Sequence, residues 1–160
     1  MKKYIGTKII EAESMKRGDY NTYRGWTIPA DENPADEGYL VKYPDGYESW
    51  SPKKQFKEAY RAFDGGMPIG SAIELLKQGF KVARKGWNGK GMFIYLSKGY
   101  SIPVEDVCNN SLREYFYKTT EDGIVHINSH IDMKAADGTI VIGWLASQTD
   151  MLAEDWVVVE

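Results

Sequence analysis

The second half of the chain consists of short apolar runs separated by turn residues, and this pattern predicts β-strands. Two runs, Phe80–Trp87 and Met92–Ser97, flank Asn88-Gly89, the dipeptide most typical of a tight hairpin turn. Further strands are expected at Thr139–Leu145 and Trp156–Val159. This half of the chain should therefore be mostly antiparallel sheet.

Another run, Ile124–Met133, alternates polar and apolar positions and predicts one continuous strand. Successive side chains of a strand point to opposite faces, so the polar residues of this run would share one face. They are His126, Asn128, His130 and Asp132. Such a face is either solvated or lines a pocket.

Helices in this half are predicted to be few and short. Ser71 and Glu74 have the spacing of a capping box before an apolar stripe that ends at Gly79. Pro68 offers an alternative helix start one turn earlier. Single helical turns are expected within residues 111–116 and 149–154.

The first half of the chain has its own pattern. A first strand is expected at Lys3–Ile10, and a short helix within Met15–Arg24. The runs Tyr39–Tyr43 and Tyr47–Ser51 flank Pro44-Asp45-Gly46, in which proline presets φ and glycine supplies a positive φ. These runs predict a second hairpin.

A helix is predicted to follow this hairpin and to pack on it. Ser51 is placed to cap a helix whose first residue is Pro52, and its apolar positions recur at helical spacing. They are Phe56, Ala59, Tyr60 and Phe63. The expected fold class is therefore α+β, mostly antiparallel sheet with a few short helices.

A turn-rich stretch divides the pattern into two small modules. Asp64–Gly70 holds three glycines and a proline, which favours a boundary. We expect modules at residues 1–64 and 65–160.

Composition places the protein in the cytoplasm. No apolar run is long enough for a membrane span, and the N-terminal residues lack the apolar core of a secretion signal. The single cysteine, Cys108, cannot form an internal disulfide, which fits a reducing compartment.

The charges are distributed unevenly along the chain. Residues 75–104 carry six Lys or Arg and no Asp or Glu, whereas residues 105–160 carry three basic and eleven acidic residues. One basic segment in an acidic protein indicates a small anionic ligand, because a long nucleic acid needs a broad basic face. No long nucleic acid and no membrane is therefore expected as a partner.

Three residues of the basic segment could hold such a ligand. Arg84 shares a strand face with Val82 and needs an anion, either a ligand phosphate or a carboxylate of the protein such as Asp155. Trp87 could stack on a purine or belong to the core. Asn88 is a residue that such a turn favours in any case.

Two other groups could carry chemistry. His126 and His130 lie too far apart on one strand to share a metal ion, so only His130 and Asp132 could cooperate. Short and amide side chains follow an apolar strand at residues 147–150, where they either cap a helix or bind ribose hydroxyls and a base edge. No metal and no cofactor is expected.

Four motifs follow one another within residues 69–158: ARKGWNGKGM, HIDMK, ADGTIV and WLASQTDMLAEDW. With these motifs in this order, the C-terminal part resembles the second Thoeris anti-defence family of phage proteins. The N-terminal part, with DEGYLVKYPDGYESWSPKKQFKEAYR, looks like a small phage-associated domain fused to this module.

The resemblance implies a function without catalysis. Members of the family are expected to act in the cytoplasm of the infected bacterial host as homotetramers that sequester glycocyclic ADP-ribose, the signal of Thoeris immunity. Some are thought also to hold cyclic dinucleotides of CBASS immunity. The matching motif positions that would bind ligand here are Arg84, Trp87, Asn88, Asp132, Met133, Ser147, Gln148, Thr149 and Asp150.

Two other classes of function remain open from the residues alone. One is an enzyme that degrades such signals, with His130 and Asp132 as its acid and base. The other is a structural phage protein whose aromatic surfaces build a homo-oligomer. Retention of intact ligand distinguishes the sequestering protein from both.

Overall fold

The computed structural model of the protein describes residues 1–3 and 5–160, and this part of the chain forms two compact units. The first comprises residues 1–62 and the second residues 63–160. Short helices accompany antiparallel sheets in both units. The predicted α+β class with mostly antiparallel sheet is confirmed.

The first unit is a three-stranded sheet with two helices. Its strands are β1 (Glu11–Ser14), β2 (Gly38–Lys42) and β3 (Glu48–Pro52), paired in the order β1-β2-β3. The helices are α1 (Arg17–Tyr23) and α2 (Lys53–Ala59). The hairpin of β2 and β3 and the helix within 15–24 are confirmed.

The predicted first strand at Lys3–Ile10 is wrong within the described residues, which exclude residue 4. The strand begins instead at Glu11, and its position is set by its pairing with β2. Glu11 pairs with Lys42 and Ala12 with Val41, so the ladder to β2 and an opposite-charge pair outweigh the better β-propensity of the preceding residues.

Helix α2 packs on the hairpin as predicted, but starts one residue later. Pro52 is the N-cap and Ser51 still belongs to β3, opposite Tyr39. The Phe56 ring stacks on Tyr39 with a centroid distance of 4.0 Å. Phe63 lies beyond the end of the helix. It belongs to the second unit, where its ring contacts that of Phe80.

The second unit is built on a five-stranded sheet in the order β10-β4-β5-β8-β9. Two further strands, β6 and β7, form a separate ribbon. The bounds are β4 Lys81–Arg84, β5 Phe93–Ser97, β6 Tyr100–Pro103, β7 Ile124–Ile127, β8 His130–Lys134, β9 Ile140–Val141 and β10 Trp156–Val159. The helices are α3 Ile69–Lys77, α4 Asn110–Thr119 and α5 Gln148–Met151, with a 3-10 turn at Val104–Asp106.

Helix α3 covers one face of the large sheet. Its buried residues are Ala72, Leu75 and Leu76, and the sheet strands that it contacts bury Val82, Ile94 and Trp156. The helix begins at Ile69 with Pro68 as N-cap, so the earlier of the two predicted starts is right and the capping box at Ser71 is not formed.

The predicted single strand Ile124–Met133 is wrong, because strand structure is interrupted at Asn128-Ser129. The opposing strand is interrupted at the same level, at Lys98-Gly99. The register is the same on both sides of the interruption, with Ser97 opposite His130 and Tyr100 opposite Ile127. At the interruption the backbones approach so closely that a Cβ on Gly99 would lie 2.7 Å from the Ile127 oxygen. His126 and His130 therefore lie in different sheets.

The predicted strand Thr139–Leu145 is reduced to Ile140–Val141. Its ladder with β8 stops because Gly143 adopts a left-handed φ of 82° and its amide bonds to the Asp132 side chain instead. The closing strand at 156–159 is confirmed, and the helical turn predicted within 149–154 begins and ends earlier, at Gln148–Met151.

None of the helices in the described part of the chain combines the length and the apolar character needed to cross a bilayer.

Candidate ligand site around Trp87 and Asp150

Asp150 is the centre of a hydrogen-bonded network at the start of α5. Ser147 is the N-cap of this helix, and its hydroxyl accepts a bond from the Asp150 amide at 3.1 Å. In return Asp150 Oδ2 accepts from the Ser147 amide at 3.1 Å and from the Ser147 hydroxyl at 2.6 Å. This reciprocal capping box fixes a carboxylate that is only 8% exposed.

Arg84 joins this carboxylate to a second one. Its Nη1 donates to Asp150 Oδ1 and its Nε to Asp155 Oδ1, both at 2.8 Å. Asp155 Oδ2 also accepts from the Gly86 amide at 2.7 Å. The sequence left open whether Arg84 binds a ligand phosphate or a carboxylate of the protein. In the structure its partners are two carboxylates of the protein.

The network keeps its charged groups ionised. Burial raises the pKa of Asp150, but bonds from Ser147, Arg84 and Trp87 outweigh it and hold that pKa well below its usual range. The Arg84 bond lowers the pKa of Asp155, while bonds to Asp155 and Asp150 raise the pKa of Arg84. A carboxylate of this kind is a poor proton donor at neutral pH.

Three tryptophans pack together on the network. Trp87 Nε1 donates to Asp150 Oδ1 at 3.0 Å, and Trp156 Nε1 to the Asp150 backbone oxygen at 3.3 Å. Trp144 completes the group, with ring centroids 6.2 Å from Trp87 and 6.1 Å from Trp156, both edge-to-face. We call these three residues the tryptophan cluster.

The members of the tryptophan cluster differ in exposure. Trp156 is fully buried, whereas Trp87 and Trp144 are half-buried. Trp87 thus packs against the buried Trp156 while the residue as a whole stays partly accessible.

Three exposed residues of the predicted site do not bond to Asp150, and we call them the rim. They are Asn88, Gln148 and Thr149. Asn88 lies in the connection between β4 and β5, whereas Gln148 and Thr149 begin α5. Thr149 Oγ1 lies 2.8 Å from Ser147 Oγ. Arg84, Trp87, Ser147 and Asp150 are therefore brought together, with the rim next to them along the chain.

Asp132 and Met133 do not belong to the Asp150 network. They are consecutive residues of β8, so their side chains lie on opposite faces of the sheet. Asp132 is 4% exposed and accepts bonds from Ser97 Oγ and from the Gly143 amide at 3.0 Å. Met133 is half-buried within the sheet, between Ile94 and Val141 on the neighbouring strands.

The two histidines also have separate partners. His130 Nδ1 lies 2.8 Å from the Asn128 oxygen, and its Nε2 lies 3.4 Å from Asp132 Oδ1. His126 Nδ1 lies 2.8 Å from Ser101 Oγ on the two-stranded ribbon. Across residues 1–3 and 5–160, no three histidine, cysteine or acidic side chains come together in a way that could hold a metal ion.

Sequence reasoning missed Trp144 and Trp156 as site residues. They are the first and last residues of the motif WLASQTDMLAEDW, which contains the capping box. Two large aromatic residues at the ends of a motif of small polar residues are a signal that could have found them, because polar groups of a site need apolar support.

Comparison with known proteins places this site within a described family. Residues 67–159 match the family model of the Tad2-like, Thoeris anti-defense 2-like domain. A protein named Thoeris anti-defense 2, from Bacillus phage SP01, is 40% identical over 93 residues, which cover 58% of this chain and 94% of that protein. The matched residues include the whole Asp150 network and the tryptophan cluster. The chain therefore belongs to the Thoeris anti-defense 2-like family.

Proposed function

We propose that this protein is a phage anti-defence sponge, which binds glycocyclic ADP-ribose and withholds it from the Thoeris system of the infected bacterium without degrading it. The observation that carries the proposal is the family match over residues 67–159, which contains every residue of the Asp150 network. The name of the SP01 relative, 40% identical, states anti-defence against Thoeris.

The surroundings of the Asp150 network suit a nucleotide-like ligand. Trp87 and Trp144 are half-buried indoles that can pack against a flat base. The rim offers two amides and a hydroxyl, which can bond to ribose hydroxyls and a base edge. Lys85 and Lys90 are exposed in the connection that carries Asn88 and supply positive charge for phosphates.

In this proposal Arg84 and Asp150 support the site from within. Both partners of the Arg84 guanidinium are carboxylates of the protein, and the Arg84 side chain is only 17% exposed. A phosphate at that position would have to displace an anion that is already bound. The ligand contacts are therefore assigned to the exposed indole surfaces, the rim and the lysines.

The environment of His130 and Asp132 favours binding over the rival function of degradation. A general acid or base must reach the substrate. Asp132 is 4% exposed and has both oxygens engaged by Ser97, Gly143 and His130. Asp132 is thus suited to holding backbone in place rather than to acting on a substrate, and sequestration requires no activated nucleophile.

Capture of intact ligand tests the proposal. The protein is incubated with glycocyclic ADP-ribose and filtered, the retained protein is denatured by heat, and both fractions are analysed by mass spectrometry. We expect the signal to be missing from the filtrate and recovered unchanged from the protein. Recovery of a different molecule would make the protein an enzyme, and free passage would refute the binding of this signal. A cyclic dinucleotide of CBASS is run in parallel as the second proposed ligand.

Two substitutions of Trp87 distinguish ring contact from hydrogen bonding. Trp87→Ala should weaken capture, because base–aromatic stacking contributes about 1–3 kcal/mol. Trp87→Phe retains a ring but loses the bond to Asp150, and should bind with intermediate affinity. The matched control is Trp26→Ala, an exposed tryptophan outside the matched residues, which should leave capture unchanged. Equal capture by Trp87→Ala and wild type would remove Trp87 from the site.

We also propose that the protein assembles into a homo-oligomer, as a tetramer. The support is a run of exposed apolar residues at and after the edge strand β9: Ile140, Val141 and Ile142 are 51%, 47% and 76% exposed, and Leu145 is 90% exposed. Contiguous exposed apolar residues of this kind mark interaction surfaces. Light scattering of the purified protein measures the assembly against the chain mass of 18.2 kDa.

A further inference from the structure

Asp132 is the most deeply buried carboxylate of the second unit, and its surroundings do not suit an anionic ligand. It is 4% exposed, and its two oxygens accept bonds from Ser97 and Gly143, with His130 Nε2 at 3.4 Å. A phosphate-bearing ligand would be repelled by this carboxylate, which already engages Ser97 Oγ and the Gly143 amide. This predicted ligand-binding position therefore needs a different role.

The Gly143 bond provides that role, because it lies where the β8–β9 ladder ends. Lys134 pairs with Ile140 and Met133 with Val141. Continuing this register would place Ile142 opposite Asp132 and Gly143 opposite Ile131. Instead the Trp144 amide donates to the Ile131 oxygen at 2.6 Å, so one extra residue is accommodated before Trp144.

The extra residue leaves the Gly143 amide without a partner on the β8 backbone, and the Asp132 side chain accepts from it instead. Gly143 has a φ of 82°, which other residues rarely adopt. Two successive amides, those of Gly143 and Trp144, are therefore tied to two successive residues of β8. The chain direction after this double attachment brings the Trp144 ring to 6.2 Å from Trp87 and 6.1 Å from Trp156.

We propose that Asp132 is a positioning residue: by holding Gly143 it fixes Trp144 in the tryptophan cluster, and it does not itself contact the ligand. The effect on ligand affinity rests on the proposed function, whereas the effect on the tryptophan cluster is independent of any ligand. Ser97 and His130 hold the carboxylate in turn, from the neighbouring strand β5 and from β8 itself.

Asp132→Asn in the full-length protein tests this role with two measurements. The first is the near-ultraviolet circular dichroism of the ligand-free protein, which reports the fixed geometry of packed tryptophans. We expect Asp132→Asn to change this spectrum, because Ser97 and Gly143 bond to different oxygens of Asp132 and the amide replaces one of these by an NH2 group, which cannot accept. The second is capture of glycocyclic ADP-ribose, which should weaken about tenfold or more, as expected for a lost charge-assisted bond.

The outcomes separate the possible roles of Asp132. Weakened capture with an unchanged spectrum would overturn the proposal, because it would indicate direct ligand contact. An unchanged spectrum with unchanged capture would also overturn it. If the wild type captures no glycocyclic ADP-ribose, the proposed function fails, but the spectrum still decides whether Asp132 positions Trp144.

Two further variants control the experiment. Asp106→Asn makes the same chemical change at an exposed position of the second unit and should leave both measurements at wild-type values. Ser97→Ala removes one donor to Asp132 and retains the Gly143 bond. Ser97→Ala should change both measurements in the same direction as Asp132→Asn, but by less. If Asp132→Asn does not fold, Ser97→Ala takes its place in the experiment. A wild-type spectrum for Ser97→Ala would then count against the proposal.

Discussion

Asp150 shows how far single residues of the site could be interpreted before the structure was known. The capping of α5 by Ser147 follows from local spacing, because both partners lie within one helical turn. The bonds from Arg84 and Trp87 span 66 and 63 residues, and no local pattern encodes them. The sequence indicated that Arg84 needs an anion, but only the fold determines that two carboxylates of the protein supply it.

The low pKa of Asp150 makes part of the stability of the protein dependent on pH. A carboxyl group whose pKa is lowered by folding stabilises the fold at pH values above its unfolded-state pKa of about 3.9. This stabilisation is lost as the pH falls toward the lower pKa of the folded state. Asp150→Asn should therefore lower the free energy of unfolding by about 2–4 kcal/mol at pH 7, because it leaves Arg84 partly unpaired. The difference from wild type should shrink below about pH 4.

Urea unfolding followed by tryptophan fluorescence at pH 7, 5 and 3.5 measures this dependence. Asp106→Asn, exposed to solvent, is the control and should unfold like wild type throughout. A difference between Asp150→Asn and wild type that stays constant down to pH 3.5 would contradict the argument.

At the scale of elements, the strands of the second unit were largely predictable and their limits were not. Phe93–Ser97 and Trp156–Val159 follow from β-branched and aromatic runs bounded by turn residues. The split of residues 124–133 into β7 and β8 coincides with an interruption of the opposing strand at Lys98-Gly99, about 30 residues away. The shortening of β9 likewise depends on a side chain of another strand, Asp132. Non-local partners set these limits.

The edge strand β9 carries the prediction on assembly. Replacing Ile142 and Leu145 together by lysine should lower the mass measured by light scattering toward 18.2 kDa, because charge on an apolar interface opposes association. Leu112→Lys is the control, since Leu112 is 50% exposed but lies on α4, and it should leave the mass unchanged. Dissociation by Leu112→Lys alone would place the interface elsewhere.

At the scale of the whole molecule, the chain carries two units of which only one matches the family model. Residues 67–159 are matched, and they lie within the second unit, residues 63–160. The first unit has its own buried residues, among them Tyr20, Asn21 and Val41. Each unit therefore has a core of its own.

Separate cores predict separate unfolding. Val41→Asp places a charge at a position that is 1% exposed in the first unit and should destabilise that unit by more than about 3 kcal/mol. Capture of glycocyclic ADP-ribose by the second unit should persist. Ala12→Asp, at the exposed residue opposite Val41, is the control and should leave both units folded. Loss of capture in Val41→Asp would show that the second unit depends on the first.

The double attachment of Arg84 has a consequence for how the chain tolerates substitution. A neutral residue at Arg84 removes the guanidinium partner of two carboxylates at once, whereas loss of Asp150 or Asp155 alone leaves Arg84 paired with the other. Asn88, Gln148 and Thr149 are exposed and can be replaced one at a time at little cost to the fold. If the rim contacts the signal as proposed, a phage facing a host with a different signal is expected to change first at the rim and last at Arg84.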